Sequence, residues 1–327
     1  MTGGRFFCHY LIHLAVKGSV AFMNGILIID KPKDWTSHDV IAKLRGALKQ
    51  KRIGHGGTLD PMATGVLPVF IGRATRAAEF CENAEKEYIA ELLLGTVTDT
   101  QDITGNVIEK NEVNVTAEEL TAVLDKFKGK QKQIPPMYSA IKKDGKKLYE
   151  LARKGIEVER EPREVYISKI ELCDKGTVLL SSCQKNRPSV TLDNSILVIC
   201  SKGTYVRTLC HDIGAALGCG GTLSALRRTR AGVFPINNAH TLDTVIAASL
   251  TDSVSGMILP TDSIFSEYPA LTLNQSEVSR AKNGAACNTQ ENTENGKYRV
   301  YAPDGEFLLF GEVESSKVKT IKSFFEV

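Results

Sequence analysis

The stretch Gly54-His55-Gly56-Gly57-Thr58-Leu59-Asp60-Pro61-Met62-Ala63-Thr64-Gly65-Val66-Leu67-Pro68 restricts the fold more than any other part of the chain. Pro61 bars Asp60 from helical backbone and cannot donate to a sheet ladder, so no regular element runs through the middle of this segment. The glycines at 54, 56 and 57 allow positive φ and close approach of the backbone to another group. The segment reads as a loop that brackets one histidine and one carboxylate, with Asp60 projecting from an abrupt turn. Taken alone, an Asp-Pro step among glycines describes a turn and nothing more.

The flanking sequence supplies elements that can hold such a loop. Ile26 to Ile29 is a short apolar run ended by Asp30-Lys31-Pro32, the pattern of a buried strand. Trp35, Thr36 and Ser37 offer a cap to a helix with Val40, Ile41, Leu44 and Leu48 on one face. Lys43, Arg45, Lys49, Lys51 and Arg52 crowd its other side and its end, just before the loop. Thr75 to Ala84 reads as helical, and the alternation over 88–94 predicts a strand with Tyr88 on the face of Ala90 and Leu92. Thr116 and Glu119 form a capping box before Leu120, Val123, Leu124 and Phe127. Ile196 to Ile199 resumes a strand, Ser201 to Thr204 turns, and a helix follows with Arg207 in its first turn and Leu209, Ile213 and Leu217 facing inward. Leu223 to Arg230 and Thr241 to Ala248 read as two further helices. Beyond Asp262 the pattern changes, and Tyr298, Val300, the turn Pro303-Asp304-Gly305, Phe307, Leu309 and Gly311 predict a β-hairpin in a small all-β tail.

Total charge says little about partners: the net charge is +3 over 327 residues. Its distribution says more. From Gln131 to Lys154 the chain combines Ile134-Pro135-Pro136-Met137-Tyr138 with Lys142, Lys143, Lys146, Lys147, Arg153 and Lys154, against only Asp144 and Glu150. Basic residues interleaved with aromatics suit a phosphate backbone and unstacked bases, although a solvated charged face has the same composition. The eight cysteines include no C-x-x-C pair, which argues against a structural metal and fits a reducing cytoplasm. In the first 22 residues His9, His13 and Lys17 interrupt an apolar run far shorter than the ~20 residues of a membrane span. Residues 1–22 are therefore taken as a leader, or as the product of a start codon placed too far upstream of Met23. The stretch 175–195 is a long polar insertion between apolar strands.

The loop resembles the catalytic motif of the TruB family of tRNA pseudouridine synthases, which reads Gly-His-Thr/Gly-Gly-Thr/Ala-Leu-Asp-Pro-x-Ala-Thr-Gly. The resemblance runs from Gly25-Ile26-Leu27-Ile28-Ile29-Asp30-Lys31-Pro32, through Ile134-Pro135-Pro136-Met137-Tyr138-Ser139-Ala140 and Ser201-Lys202-Gly203-Thr204-Tyr205-Val206-Arg207, to Leu226-Arg227-Arg228-Thr229-Arg230. These separated motifs occur in the family's order. The resemblance implies an α+β fold: a catalytic domain of pseudouridine-synthase type over 23–260, with a mixed, mainly antiparallel sheet and flanking helices. It implies an RNA-clasping arm at about 131–157 and a small C-terminal β-rich, PUA-like RNA-binding domain over 261–327.

The implied reaction is isomerisation of the T-loop uridine at position 55 of tRNA. Asp60 is the implied nucleophile, Arg207 the group that keeps it ionised and aimed, and Tyr88 the group that stacks on the base or serves as general base. A single carboxylate suits attack at an anomeric carbon whose leaving base is retained. A carboxylate so placed suits either addition to C1′ or prior removal of the C2′ proton. His55 is the implied wedge that fills the place of an extruded base. Lys31, Tyr205 and Leu226, with the arm residues Lys142, Lys143, Lys146 and Lys147, are the other implied substrate-binding residues. No cofactor and no metal are expected, since isomerisation moves no electrons. The expected partner is the tRNA T-arm, met by a cytoplasmic monomer without a guide RNA and without a membrane.

Overall fold

A computed structural model of the chain describes residues 23–139, 141–143, 145–173, 195–251, 253–289 and 293–325. The expected leader 1–22 and the polar insertion 175–195, apart from Ser195, lie outside the described residues.

The central sheet orders its strands His240–Thr241, Gly25–Lys31, Thr64–Ile71, Gly221–Ala231, Lys86–Leu94, Ser195–Cys200, Arg163–Leu172 and Gly129–Gln133, with Ile53–His55 and Phe234–Pro235 attached alongside. Parallel pairing occurs between the first two of these strands and between Thr64–Ile71 and Gly221–Ala231; the other pairs are antiparallel. The sheet is thus mixed and mainly antiparallel, as expected. Pro68 is tolerated inside it because it falls where the partner on one side changes. Thr64 and Gly65 pair with Arg227 and Arg228, whereas Val69 to Ile71 pair with Ile53 to His55. At Pro68 itself the carbonyl accepts from the Gly56 N–H at 2.9 Å, and no donor is required.

Strand alternation separates two faces. Leu27, Ile29, Leu67, Val69 and Ile71 meet the helix Ser37–Ala47 through Val40, Ile41 and Leu44, together with Leu242 and Val245 of the helix Leu242–Ser249. Ile26, Ile28, Val66 and Phe70 point the other way. A separate core packs Ala90, Leu92, Ile196 and Val198 against the helices Ala117–Lys126 and Val206–Ala216. Each fully buried Leu or Ile contributes roughly 1.5–3 kcal/mol. The capping box of Thr116 with Glu119 forms as the sequence predicts, and Thr36, one of the residues expected to offer a cap, forms a second box with Asp39.

Residues Leu223 to Arg230 are not a helix. They lie within the strand Gly221–Ala231, which has register shifts at Leu223/Ala225 and Arg228/Arg230. The shifts break strict alternation, and the strand is buried on both faces, so its apolar positions do not show a period of two.

The C-terminal sheet orders Ala270–Thr272, Gly296–Tyr301, Phe307–Glu314, Lys317–Ser323 and Cys287–Asn288, with the helix Gln275–Lys282 packed by Val278 and Ala281. It joins the main body through aromatic rings. Phe265 stacks on Phe310 at 4.2 Å and meets Phe80 edge-on at 5.0 Å, in the same cluster as Ile26, Ile28 and Phe70.

Candidate active site

The loop around Asp60 is tied down from several sides. The Asp60 carbonyl accepts from Ala63 N–H at 3.1 Å, closing a turn with Pro61 in its second position. Ser37 Oγ accepts from Leu59 N–H at 2.9 Å and donates to Leu59 O at 3.2 Å. From the neighbouring strand, the buried Arg228 guanidinium donates to Val66 O at 2.7 Å, Gly57 O at 3.2 Å and Thr58 O at 3.5 Å. Gly65 has φ +101, and a Cβ there would lie 2.2 Å from Arg228 O, so only glycine allows the two strands this approach.

Lys31 belongs to this scaffold and not to the substrate surface. It has no exposed surface, and its ammonium donates to Trp35 O at 2.6 Å, Pro32 O at 2.8 Å and Pro61 O at 3.2 Å. With its donors spent on carbonyls it has none for RNA, which corrects its expected substrate-binding role. Burial, opposed first by Asp60, pulls its pKa down to about 8.

Arg207 lies at the second position of the helix Val206–Ala216. Its Nε is 2.9 Å from Asp60 Oδ2, an ion pair whose N–H is not aligned for a hydrogen bond. Nη1 reaches Asp102 Oδ2 and Thr100 O, each at 3.4 Å, and Nη2 donates to Tyr138 O at 2.8 Å. A cation at a helix start is disfavoured by only ~0.3–1 kcal/mol. Each carboxylate in a partly screened pair offers roughly 4 kcal/mol at about 4 Å, so the acids win. Asp60 is partly buried, with 38% of its side-chain surface exposed. Burial pushes its carboxyl above the ordinary range; Arg207 opposes this, Asp102 adds to it and Lys31 opposes it again.

Tyr88 is buried on the strand Lys86–Leu94, opposite Arg228 on one neighbour and Val198 on the other. Burial raises its pKa and Arg228 lowers it, with the net shift upward, so the phenol keeps its proton at neutral pH. It offers a ring face and a donor more readily than a base. Leu226 is 7% exposed and shares an apolar cluster with Leu59, Met62 and Tyr88. Tyr205 is half-buried at the N-cap of the Arg207 helix. His55 ends a short strand and meets His38 edge-on at 5.4 Å; its Nδ1 is buried without a hydrogen-bond partner. Burial, then His38 and Arg228, lower its pKa to about 4, which leaves a neutral ring at physiological pH.

The arm lysines stand apart from these groups. Lys142–Lys143 and Lys146–Lys147 pair as a two-stranded hairpin with Lys142, Lys143 and Lys146 exposed. Lys143 donates to Glu159 O at 2.6 Å, and Lys147 lies over the Tyr149 ring. Among the described residues no group of His, Cys, Asp and Glu side chains gathers as a metal site, and no helix is long and apolar enough to cross a membrane.

Asp102 is the residue that sequence reasoning missed. Its carboxylate accepts from Thr100 Oγ1 at 3.0 Å and Thr104 N–H at 2.9 Å, and it is 4% exposed. The only local signal is an aspartate among threonines after a strand, which also describes an ordinary turn.

Residues 45–206 match the sequence profile of the TruB family pseudouridylate synthase N-terminal domain, and 207–266 match that of the tRNA pseudouridylate synthase B C-terminal domain. A tRNA pseudouridine synthase B from Syntrophomonas wolfei is 42% identical over 300 residues, covering 91% of this chain and 96% of the relative. One from Azoarcus is 42% identical over 297 residues, with 91% and 93% covered. A chain in the crystal structure of a Cbf5-Nop10-Gar1 complex superposes with TM-score 0.68 at 25% identity, covering 94% of this chain and 86% of that one.

Proposed function

The chain belongs to the TruB family of pseudouridylate synthases, and from that membership we propose that it converts the T-loop uridine 55 of tRNA to pseudouridine, with Asp60 as its nucleophilic carboxylate. The observation that carries the assignment to Asp60 is its ion pair with Arg207 at 2.9 Å, in a turn held by Ser37, Lys31 and Arg228.

The reaction breaks the bond from C1′ to N1, rotates the base, joins C5 to C1′ and moves the C5 proton to solvent while N1 gains one. An ionised Asp60 serves either start, addition to C1′ or removal of the C2′ proton. Arg207 favours the ionised form against the burial that opposes it, and its several partners limit its freedom to swing away. Tyr88 supplies a ring face for uracil and a phenolic proton near the base. His55, neutral and glycine-flanked, suits insertion into a stacked helix without carrying a buried charge. The arm hairpin carries exposed cations for phosphates, which supports recognition of tRNA by one chain without a guide RNA.

The test is incubation of the purified chain with a single unmodified tRNA transcript, scoring pseudouridine and its position. Pseudouridine at the T-loop uridine, lost in Asp60→Asn while tRNA affinity persists, is the expected result. Release of free uracil, or wild-type turnover by Asp60→Asn, would sink the assignment.

A further inference from the structure

The helix that carries Arg207 begins without a side-chain cap of its own. Its N-cap residue is Tyr205, and no side chain there accepts from the first turn. The constraint comes instead from a distant strand. Gln133 closes the strand Gly129–Gln133 and is 4% exposed. Its Oε1 accepts from Tyr205 N–H at 2.7 Å, and its Nε2 donates to Tyr205 O at 3.0 Å. An amide that engages both the N–H and the C=O of one residue fixes that residue's position and its rotation, which a single hydrogen bond does not. Arg207 follows Tyr205 by less than one helical turn.

The segment leaving Gln133 also reaches Arg207 directly, because Tyr138 O accepts from Arg207 Nη2 at 2.8 Å. From there it leads to the lysine hairpin: Ser139 O accepts from Tyr149 N–H at 3.1 Å, and Ile141 O from Leu148 N–H at 2.8 Å. The arm thus enters at Gln133, touches the guanidinium at Tyr138 and ends in the cations that face solvent.

We propose that Gln133 is a positioning residue: its amide clamps Tyr205, holds Arg207 against Asp60, and ties that pair to the base of the lysine-bearing arm. The role rests on the catalytic reading of Asp60 and Arg207 above. The clamp makes no contact with the reacting atoms, and its loss acts on the rate of isomerisation while leaving RNA binding to the arm and tail.

The experiment compares Gln133→Leu and Gln133→Glu with wild type in the full-length chain on an unmodified tRNA transcript. Single-turnover rate at saturating enzyme, Kd by filter binding, and folding by circular dichroism are measured. The leucine variant is expected to lose roughly 10- to 100-fold in rate, the scale of a small misplacement of a reacting group, with Kd unchanged. The glutamate variant, which keeps the acceptor for Tyr205 N–H but lacks the donor, should fall between leucine and wild type. Gln133→Leu combined with Arg207→Lys should be no slower than Arg207→Lys alone, since both act through one group.

A wild-type rate in Gln133→Leu, a loss confined to Kd, or fully additive losses in the double variant would overturn the clamp. Should the leucine variant not fold, the glutamate variant decides, and a wild-type rate there overturns it as well. Asp60→Asn and Arg207→Lys are run alongside. If both turn over normally, the catalytic reading itself falls; if they fail while Gln133→Leu does not, only the clamp falls.

Discussion

Asp60 sits under opposing influences: burial and Asp102 resist its ionisation, while Arg207 and Lys31 favour it. The net shift is upward, so the ionised form persists to a less acidic limit than for an ordinary carboxylate, whose pKa lies near about 4. The sign for stability follows. A carboxyl raised in the folded state contributes stability that is fully present below its unfolded pKa and lost as pH rises through its folded pKa. Arg207→Lys should move activity and pH dependence together. A single ammonium cannot meet Asp60, Asp102, Thr100 O and Tyr138 O at once, so the single-turnover rate should fall by roughly 100-fold or more. The acid limb of its rate profile should also lie at higher pH than in wild type. Rates measured between pH 5 and 9 check both; an unchanged limb and rate would make Arg207 a structural residue.

At the level of elements, the loop is precise because strands and one helix hold its backbone, and the arm is basic because its hairpin is exposed. Gly65→Ala brings a Cβ to 2.2 Å from Arg228 O at φ +101, where a side chain is strained even in open space. The backbone cost alone is ~1–3 kcal/mol, and the clash adds to it. The expected result is a lower denaturation midpoint together with loss of turnover, measured by denaturant titration and tRNA assay. A variant as stable as wild type would show that the two strands need not approach so closely. For the hairpin, Lys142, Lys143, Lys146 and Lys147 changed together to Ser should flatten the dependence of log K on log salt. Each lost phosphate contact is worth roughly 0.7–0.9 in that slope, so the change should approach about 3. The modified uridine should stay the same, because phosphate contacts set position and not sequence. An unchanged slope across a salt titration would assign these lysines to a solvated face.

For the whole molecule, the decisive feature is that the aromatic core is shared between the central sheet and the C-terminal sheet. Phe265 and Phe310 belong to the same cluster as Ile26, Ile28, Val66 and Phe70, and Arg76 Nη1 donates to Ser323 O at 3.2 Å across the junction. A shared core couples the two sheets in unfolding. Phe265→Ala removes the one ring that stacks at 4.2 Å on Phe310 and meets Phe80 edge-on, and should cost ~3–5 kcal/mol. It should also separate the melting of the C-terminal sheet from that of the central sheet. Hydrogen exchange resolved by segment checks this: equal loss of protection in both sheets would show that they unfold together regardless of the cluster.

Local features follow from the order of neighbouring residues alone. The capping boxes at Thr36 and Thr116, the turn forced by Pro61, the hairpin in the tail and the basic composition of the arm all depend on residues a few positions apart. Their hydrogen bonds and φ limits are set within that span, so the pattern carries them. Asp60 and Arg207 were legible as separate motifs. What distant residues do to one another emerges only on folding. Asp102 joins Arg207 across 105 positions, and Gln133 grips Tyr205 across 72. Lys31, whose cation suggests an RNA contact, is drawn into three carbonyls, one of them 30 positions away. Leu223 to Arg230 became a strand because sheet partners on both sides and two register shifts overrode a helical spacing of leucines. In each case the deciding energy is desolvation matched by a partner that the chain brings near only on folding, and no local pattern encodes which partner that will be.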